Sequence, residues 1–175
     1  MSKFQVTVLG EDKPHQQLVY RYLRRAGFAK HEIVLSDVPG RSGGAGDRWV
    51  LDRYATAVRE HRRRAAKGAL IVVLDADTEE VDRRTRQLDG LLRNSGLDRR
   101  GDGETIVHLI PRRNIETWIL HLCGQNVDES NDEKRPGIDK MIPDAAATLF
   151  EWSTNPPAHC LPSLRAAIQE LKRLP

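Results

Sequence analysis

Two carboxylates separated by one small residue, Asp75-Ala76-Asp77, follow directly on the apolar run ALIVVL at 69–74. Carboxylates at that spacing repel one another and are costly to pack in apolar surroundings, unless a cation neutralises them. Hard oxygen donors suit Mg2+ or Mn2+, ions that keep several waters and bind substrate phosphates. Glu11 has a similar setting, just after the apolar stretch FQVTVL at 4–9. Glu11, Asp75 and Asp77 together read as a candidate metal site, with a metal-activated water attacking a phosphodiester as its chemistry. The competing structural reading makes Asp75 or Asp77 a helix cap and Glu11 an exposed loop acid. Haloacid-dehalogenase phosphatases also carry DxD after a strand, but their DxDx[TV] pattern fails here because Glu79 stands two residues beyond Asp77.

The elements that must hold these residues are legible in the apolar pattern. Strands are expected at 4–9, 31–38, 69–74 and 105–110, each apolar enough to be covered on both faces. Helices are expected between them. One runs from His15 to Ala26, with Pro14 at its start and Gly27 as its C-cap, and one runs from Arg48 to Lys67 on a Trp49, Val50, Tyr54, Val58 stripe. A third is capped by Thr78 and turns Val81, Thr85, Leu88, Leu91 and Leu92 inward; a fourth, IETWILHL, is capped by Asn114. Alternating strands and helices predict an α/β domain with a mostly parallel four-stranded sheet. In such sheets, functional residues lie just past the carboxyl ends of strands, where Glu11 and the Asp75/Asp77 pair fall. Glu116 follows shortly after the fourth strand, on the first turn of its helix, and is a candidate fourth carboxylate; Trp118, two residues on, is expected in the core. The expected organisation is one α/β domain over 1–123, a mobile polar loop over 124–142, and C-terminal helices over 143–175 that pack on the same domain.

Composition narrows the setting. With 28 Lys and Arg against 25 Asp and Glu the net charge is +3, so distribution matters more than total. The runs RYLRR at 21–25 and REHRRRAAK at 59–67 read as solvated helix faces, or as surfaces that track phosphates. No apolar run reaches the roughly 20 residues of a membrane span, and the N-terminal stretch is too short for a signal peptide; a cytoplasmic protein is expected. Cys123 and Cys160 lack CxxC spacing, so neither a zinc site nor a disulfide is indicated. Lys13, Arg41, Arg112 and Arg113 are the cations best placed to grip flanking phosphates, and His15 could bond a carboxylate or substrate. The loop RSGGAGD is neither a P-loop nor a Rossmann fingerprint and reads as a connection.

Three segments together, VTVLGED, LIVVLDADT and IPRRNIETWIL, resemble the Toprim domain of primases, topoisomerases and overcoming-lysogenisation-defect nucleases. The last also resembles a segment of small Toprim-like proteins of bacterial defence systems and mobile elements. The resemblance spans roughly residues 4 to 122. It implies a Toprim-like Rossmannoid fold, with Glu11 as the Toprim glutamate, Asp75 and Asp77 as the aspartate pair, and Glu116 as an outer or second-metal carboxylate. It also implies a Mg2+- or Mn2+-dependent nuclease acting on nucleic acid, DNA ahead of RNA, with a partner protein such as an ATPase. Asp12 stands where many Toprim domains have Gly. The alternatives are a non-catalytic Toprim-like subunit that binds nucleic acid or serves assembly, and a nucleotide or sugar-phosphate enzyme using DxD with metal.

Overall fold

The computed structural model describes residues 4–39, 46–64 and 67–175. Among them the chain runs β1 (Gln5–Gly10), α1 (Lys13–Arg25), β2 (Ile33–Leu35), α2 (Gly46–Arg63), β3 (Gly68–Val73), α3 (Val81–Asn94), β4 (Ile106–Leu109), α4 (Ile115–Leu122), α5 (Ile142–Trp152) and α6 (Pro162–Leu171). The four strands form one sheet in the order β2-β1-β3-β4, with every pairing parallel. This is the α/β, Rossmann-like architecture that the apolar runs predict. No helix among the described residues is long and apolar enough to cross a membrane.

The strand order places the site. From β1 the chain passes to β2 on one side and returns through α2 to β3 on the other. The carboxyl ends of β1 and β3 are therefore the topological switch point, where parallel sheets open a crevice for ligands. Glu11 follows β1 and Asp75 follows β3 by two residues. The sheet pairing also continues past the strands. Leu74 N–H donates to Leu109 O at 3.2 Å, Ala76 N–H to Pro111 O at 2.8 Å and Asp77 N–H to Arg113 O at 3.1 Å. The Asp75-Ala76-Asp77 turn is thus built on the sheet, not hung from it.

Two apolar layers hold the sheet. On one face Val6, Val8, Ile71 and Val73 pack with Leu18 and Leu23 of α1, Trp118 of α4, and α5. On the other, Leu70, Val72 and Leu74 pack with Tyr54 of α2 and Leu88 and Leu92 of α3. At the open edge of β4, Glu170 of α6 accepts the His108 backbone N–H at 2.9 Å and Arg100 Nη1 donates to Ile106 O at 2.8 Å, so these two edge groups are satisfied.

The structure departs from the expected elements at several points. β2 spans three residues, because a 3-10 turn at Lys30–Glu32 precedes it and the Glu32 carboxylate accepts the Ala29 N–H. Thr78 does not cap α3: the turn runs on, and Glu80 takes the N-cap without a side-chain bond. Trp49 leaves the core stripe; its Nε1 donates to Asp37 O at 3.0 Å, and the Arg53 guanidinium lies 3.2 Å over its ring. The segment 124–142, expected to be a mobile loop, is tied to its surroundings. Buried Glu129 accepts the Ser163 N–H at 3.1 Å and the Ser163 hydroxyl, Arg113 Nη2 donates to Ser130 O at 2.9 Å, and Asn114 Nδ2 donates to Glu133 O at 2.7 Å. α5 packs on α1, and α6 lies along β4.

Candidate functional site

The first acid after β1 is held from two sides. Glu11 Oε1 accepts the Asp75 backbone N–H at 2.7 Å. On the far side Gly46 opens α2 so close that a Cβ there would lie 3.0 Å from Glu11 O and 3.1 Å from its Cβ. A side chain at this position would press on Glu11 and require it to give by a few tenths of an ångström. Burial, with the Asp75 and Asp77 charges adding and His15 opposing, pushes the Glu11 carboxyl up to about 8.

Asp75 is buried and takes a single strong side-chain partner, His15 Nε2, at 2.8 Å from Oδ1. The other imidazole nitrogen, Nδ1, lies 2.6 Å from Asp12 Oδ1. Asp12 also caps α1 by accepting the His15 backbone N–H at 3.2 Å. With a carboxylate at each nitrogen, both ring atoms act as donors and His15 is an imidazolium. Burial alone would lower its pKa, but Asp75 and Asp12 outweigh burial and hold it well above the ordinary histidine value. Burial raises the Asp75 carboxyl, while His15 and the Ile115 amide that opens α4 oppose the rise.

Asp77 has φ +55°, and Arg113, its backbone partner across the turn, has φ +77°. Both are non-glycine residues in the left-handed region, a conformation that the extended pairing between them maintains. Asp77 Oδ2 lies 3.2 Å from Arg84 Nη2, and Arg84 Nε donates to Asp75 O at 3.0 Å. The same guanidinium lies 3.6 Å from Asp47 Oδ2 at the start of α2. Buried Arg84 therefore pins both ends of the DxD turn. Burial and the Asp75 charge raise the Asp77 carboxyl.

Asp12, Asp75, Asp77, Glu116 and Asp132 line one cavity of about 280 Å3, against the cations Arg113 and Lys134. Glu116 stands here as expected, its carboxyl raised by burial and by Asp75, while Trp118 is buried in the core. Glu11, His15 and Asp75 bring one donor atom each within 4.8 Å of one another. Asp77 lies outside that trio but lines the cavity with Asp75, whereas Glu11 belongs to the trio and is not among the residues that line the cavity. Both His15 nitrogens are already engaged by carboxylates, so His15 orients Asp75 and does not itself present a lone pair. In Glu11 and Asp77, one oxygen takes a protein donor and the other takes no side-chain donor among the described residues. Such acceptor-only donors, crowded and lifted above their ordinary pKa values, fit a hard divalent cation.

Of the expected phosphate-gripping cations, Arg113 lines the cavity but donates to Ser130 O and Asp77 O. Arg112 pairs with Glu80 at 2.9 Å. Lys13 lies next to Asp12 but faces a separate groove, and Arg41 lies outside the described residues. The described residues of the basic run, 59–64 and 67, lie at the opposite end of the sheet, where Gln5 N–H donates to Lys67 O and Arg64 Nη1 donates to the Gln5 side chain. Arg84, Asp132 and Lys134 went unread in the sequence. For Arg84 the signal was available: it occupies the buried position four residues before Leu88, where a charge requires an acidic partner. No family model, curated protein or solved structure matches the chain.

Proposed function

We propose that this chain is a metal-dependent phosphodiesterase acting on nucleic acid, in which Glu11, Asp75 and Asp77 hold Mg2+ or Mn2+ and Glu116 serves a second ion or a water. The observation that carries this reading is the cavity at the β1/β3 switch point, which Asp75 and Asp77 line and to which Glu11 is joined through its bond to the Asp75 N–H. Five carboxylates face one space there, at least three of them lifted by burial and mutual repulsion, with two cations to offset them. When bound, the ion supplies Lewis-acid stabilisation of the phosphate and a water of lowered pKa. His15 holds the Asp75 carboxylate in one orientation, and the Asp75 amide does the same for Glu11. Arg84 fixes the turn that presents Asp77. Lys134 and Arg113 flank the cavity, where they can meet a phosphate oxygen. The setting proposed is the bacterial cytoplasm, in a defence or mobile-element system, with DNA ahead of RNA as substrate and an ATPase-type partner for loading.

One observation favours a second reading, a non-catalytic nucleic-acid-binding or assembly subunit. Arg112, Arg113 and Asp77 already spend their charges on protein partners. The deciding experiment incubates pure protein with plasmid, single-stranded DNA and RNA in Mg2+, Mn2+ or chelator. Cleavage with metal that is lost in Glu11→Gln, a variant that keeps the bond to the Asp75 N–H and melts no lower than wild type in chelator, supports the phosphodiesterase. Binding without cleavage selects the subunit, and neither binding nor cleavage overturns both.

A further inference from the structure

Lys13, Gln17, Arg21 and Arg25 recur at every fourth residue of α1 and so share one face of the helix. Arg24 borders the same face. That face borders two grooves. Lys13, Gln17 and Arg21 line a groove of about 700 Å3 against Ser36 and Val38 after β2. Arg21, Arg24 and Arg25 line a second groove of about 340 Å3 with Tyr20 and Pro143. Arg21 belongs to both, so the two grooves abut and form one trough. At one end of the trough Lys13 adjoins Asp12, which lines the acidic cavity. At the other end are three guanidiniums and an aromatic ring, with no carboxylate among the lining residues. Asp37 and Asp139 line the first groove, yet Lys13, Arg21, Arg24 and Arg25 make no ion pair among the described residues. Helix C-termini attract cations for their own sake. That explains Arg24 and Arg25, but not the stripe reaching back to Lys13.

We infer that this trough is the track for a single nucleic-acid strand, its phosphates held by Lys13, Arg21, Arg24 and Arg25 and its end delivered to the acidic cavity. The inference rests on nucleic acid being the substrate. Twelve residue steps separate Lys13 from Arg25, a rise of about 18 Å. At about 3.4 Å per phosphate along a stacked strand, that is about five nucleotides. Strands of eight nucleotides or more reach the arginine end from the cavity, and a tetranucleotide does not. Tyr20, half-buried beside the arginines, offers a ring on which one base can stack.

The test is fluorescence anisotropy in chelator with labelled single-stranded DNA of 4 and 16 nucleotides, across a range of salt. Wild-type protein is compared with the triple variant Arg21→Gln, Arg24→Gln, Arg25→Gln. All three side chains are exposed, and an unchanged melting temperature verifies the fold. Each phosphate contact on a single strand contributes about 0.7 to the slope of log affinity against log salt. The triple variant should therefore lower the 16-mer slope by about 2 and its affinity at least tenfold, and in wild type the tetramer, which spans fewer of the four cations, should show a smaller slope than the 16-mer. An unchanged 16-mer slope, or a wild-type slope that is the same for both lengths, overturns the track. So does binding that is strong only to phosphatidylserine vesicles, which would assign the arginines to a lipid surface. If wild type binds neither oligonucleotide in chelator, the track falls, and the parent reading is decided by the cleavage assay in Mg2+ or Mn2+. If wild type binds and the variant binds equally, only the track falls.

Discussion

Replacing Glu11 by Gln removes one charge while leaving a side-chain carbonyl to accept the Asp75 N–H. In the metal-free protein this should stabilise the fold at alkaline pH. A carboxyl whose folded pKa exceeds its unfolded value binds its proton in the native state first. Its contribution is fully present below pH 4.5 and is lost as pH rises toward the folded value of about 8. That interval is about three and a half pH units, and at about 1.4 kcal/mol per unit its ceiling is about 5 kcal/mol. His15 opposes the rise and Glu11 is partly open to solvent, so about 2 kcal/mol between pH 5 and pH 8 is the expectation. The assay is urea denaturation in chelator at pH 5, 6, 7 and 8. Relative to wild type at the same pH, Glu11→Gln should gain about 2 kcal/mol from pH 5 to pH 8 and be the more stable of the two at pH 8, the groups common to both, His108 among them, cancelling in the difference. Adding Mn2+ at pH 8 should reverse the order, because the variant gives up a ligand. A variant less stable than wild type at pH 8 in chelator, with the slope unaltered, would refute the picture of a carboxylate held against its electrostatic preference.

Asp75→Asn should behave oppositely to Glu11→Gln, destabilising by about 3–5 kcal/mol in thermal or urea melts, because it strands the His15 imidazolium with Asp12 alone. His108, whose pKa burial and Arg100 push down to about 3, stays neutral in the fold; its contribution is present above pH 6.5 and lost as pH falls toward 3, at about 1.4 kcal/mol per pH unit. Urea melts at pH 6.5 and 4.5 should show this loss in wild type and not in His108→Phe. Ser163→Ala should cost about 2–3 kcal/mol, because the Ser163 hydroxyl accepts from Trp118 Nε1 and the Arg112 N–H and donates to buried Glu129. Ser163→Thr, which keeps the hydroxyl, should recover most of that loss.

What the sequence discloses here follows the range of the forces involved. Strands β1, β3 and β4 and the Asn114 cap depend on local apolar runs and on one side chain bonding the Thr117 N–H three residues on, so they are readable. The address of Asp75 beyond β3 is readable for the same reason. What Asp75 touches is not, because His15 lies 60 residues away and meets it only through the β1-β3 pairing. The spacing of Asp12 and His15 was a partial signal, since a helix-capping aspartate three residues before a histidine places the two in reach. Asp77 was expected to share a cation with Glu11 on the strength of its spacing from Asp75. Its left-handed backbone and its bond to Arg84 are tertiary facts that spacing cannot carry. The polar stretch 124–142 lacks periodicity because its order comes from single bonds to Ser163, Arg113 and Asn114, which leave no repeat to detect.

The seal that α6 places on β4 has a consequence in time. A ribosome releases β4 some fifty residues before Pro162–Leu171, so the sheet can assemble while the N–H of His108 still lacks Glu170. During that interval the nascent chain presents a bare parallel strand edge, the surface on which unfinished α/β domains join to one another. Chains stalled or cut before α6 should therefore be claimed by chaperones or aggregate, although the acidic cavity and all its carboxylates have already been synthesised.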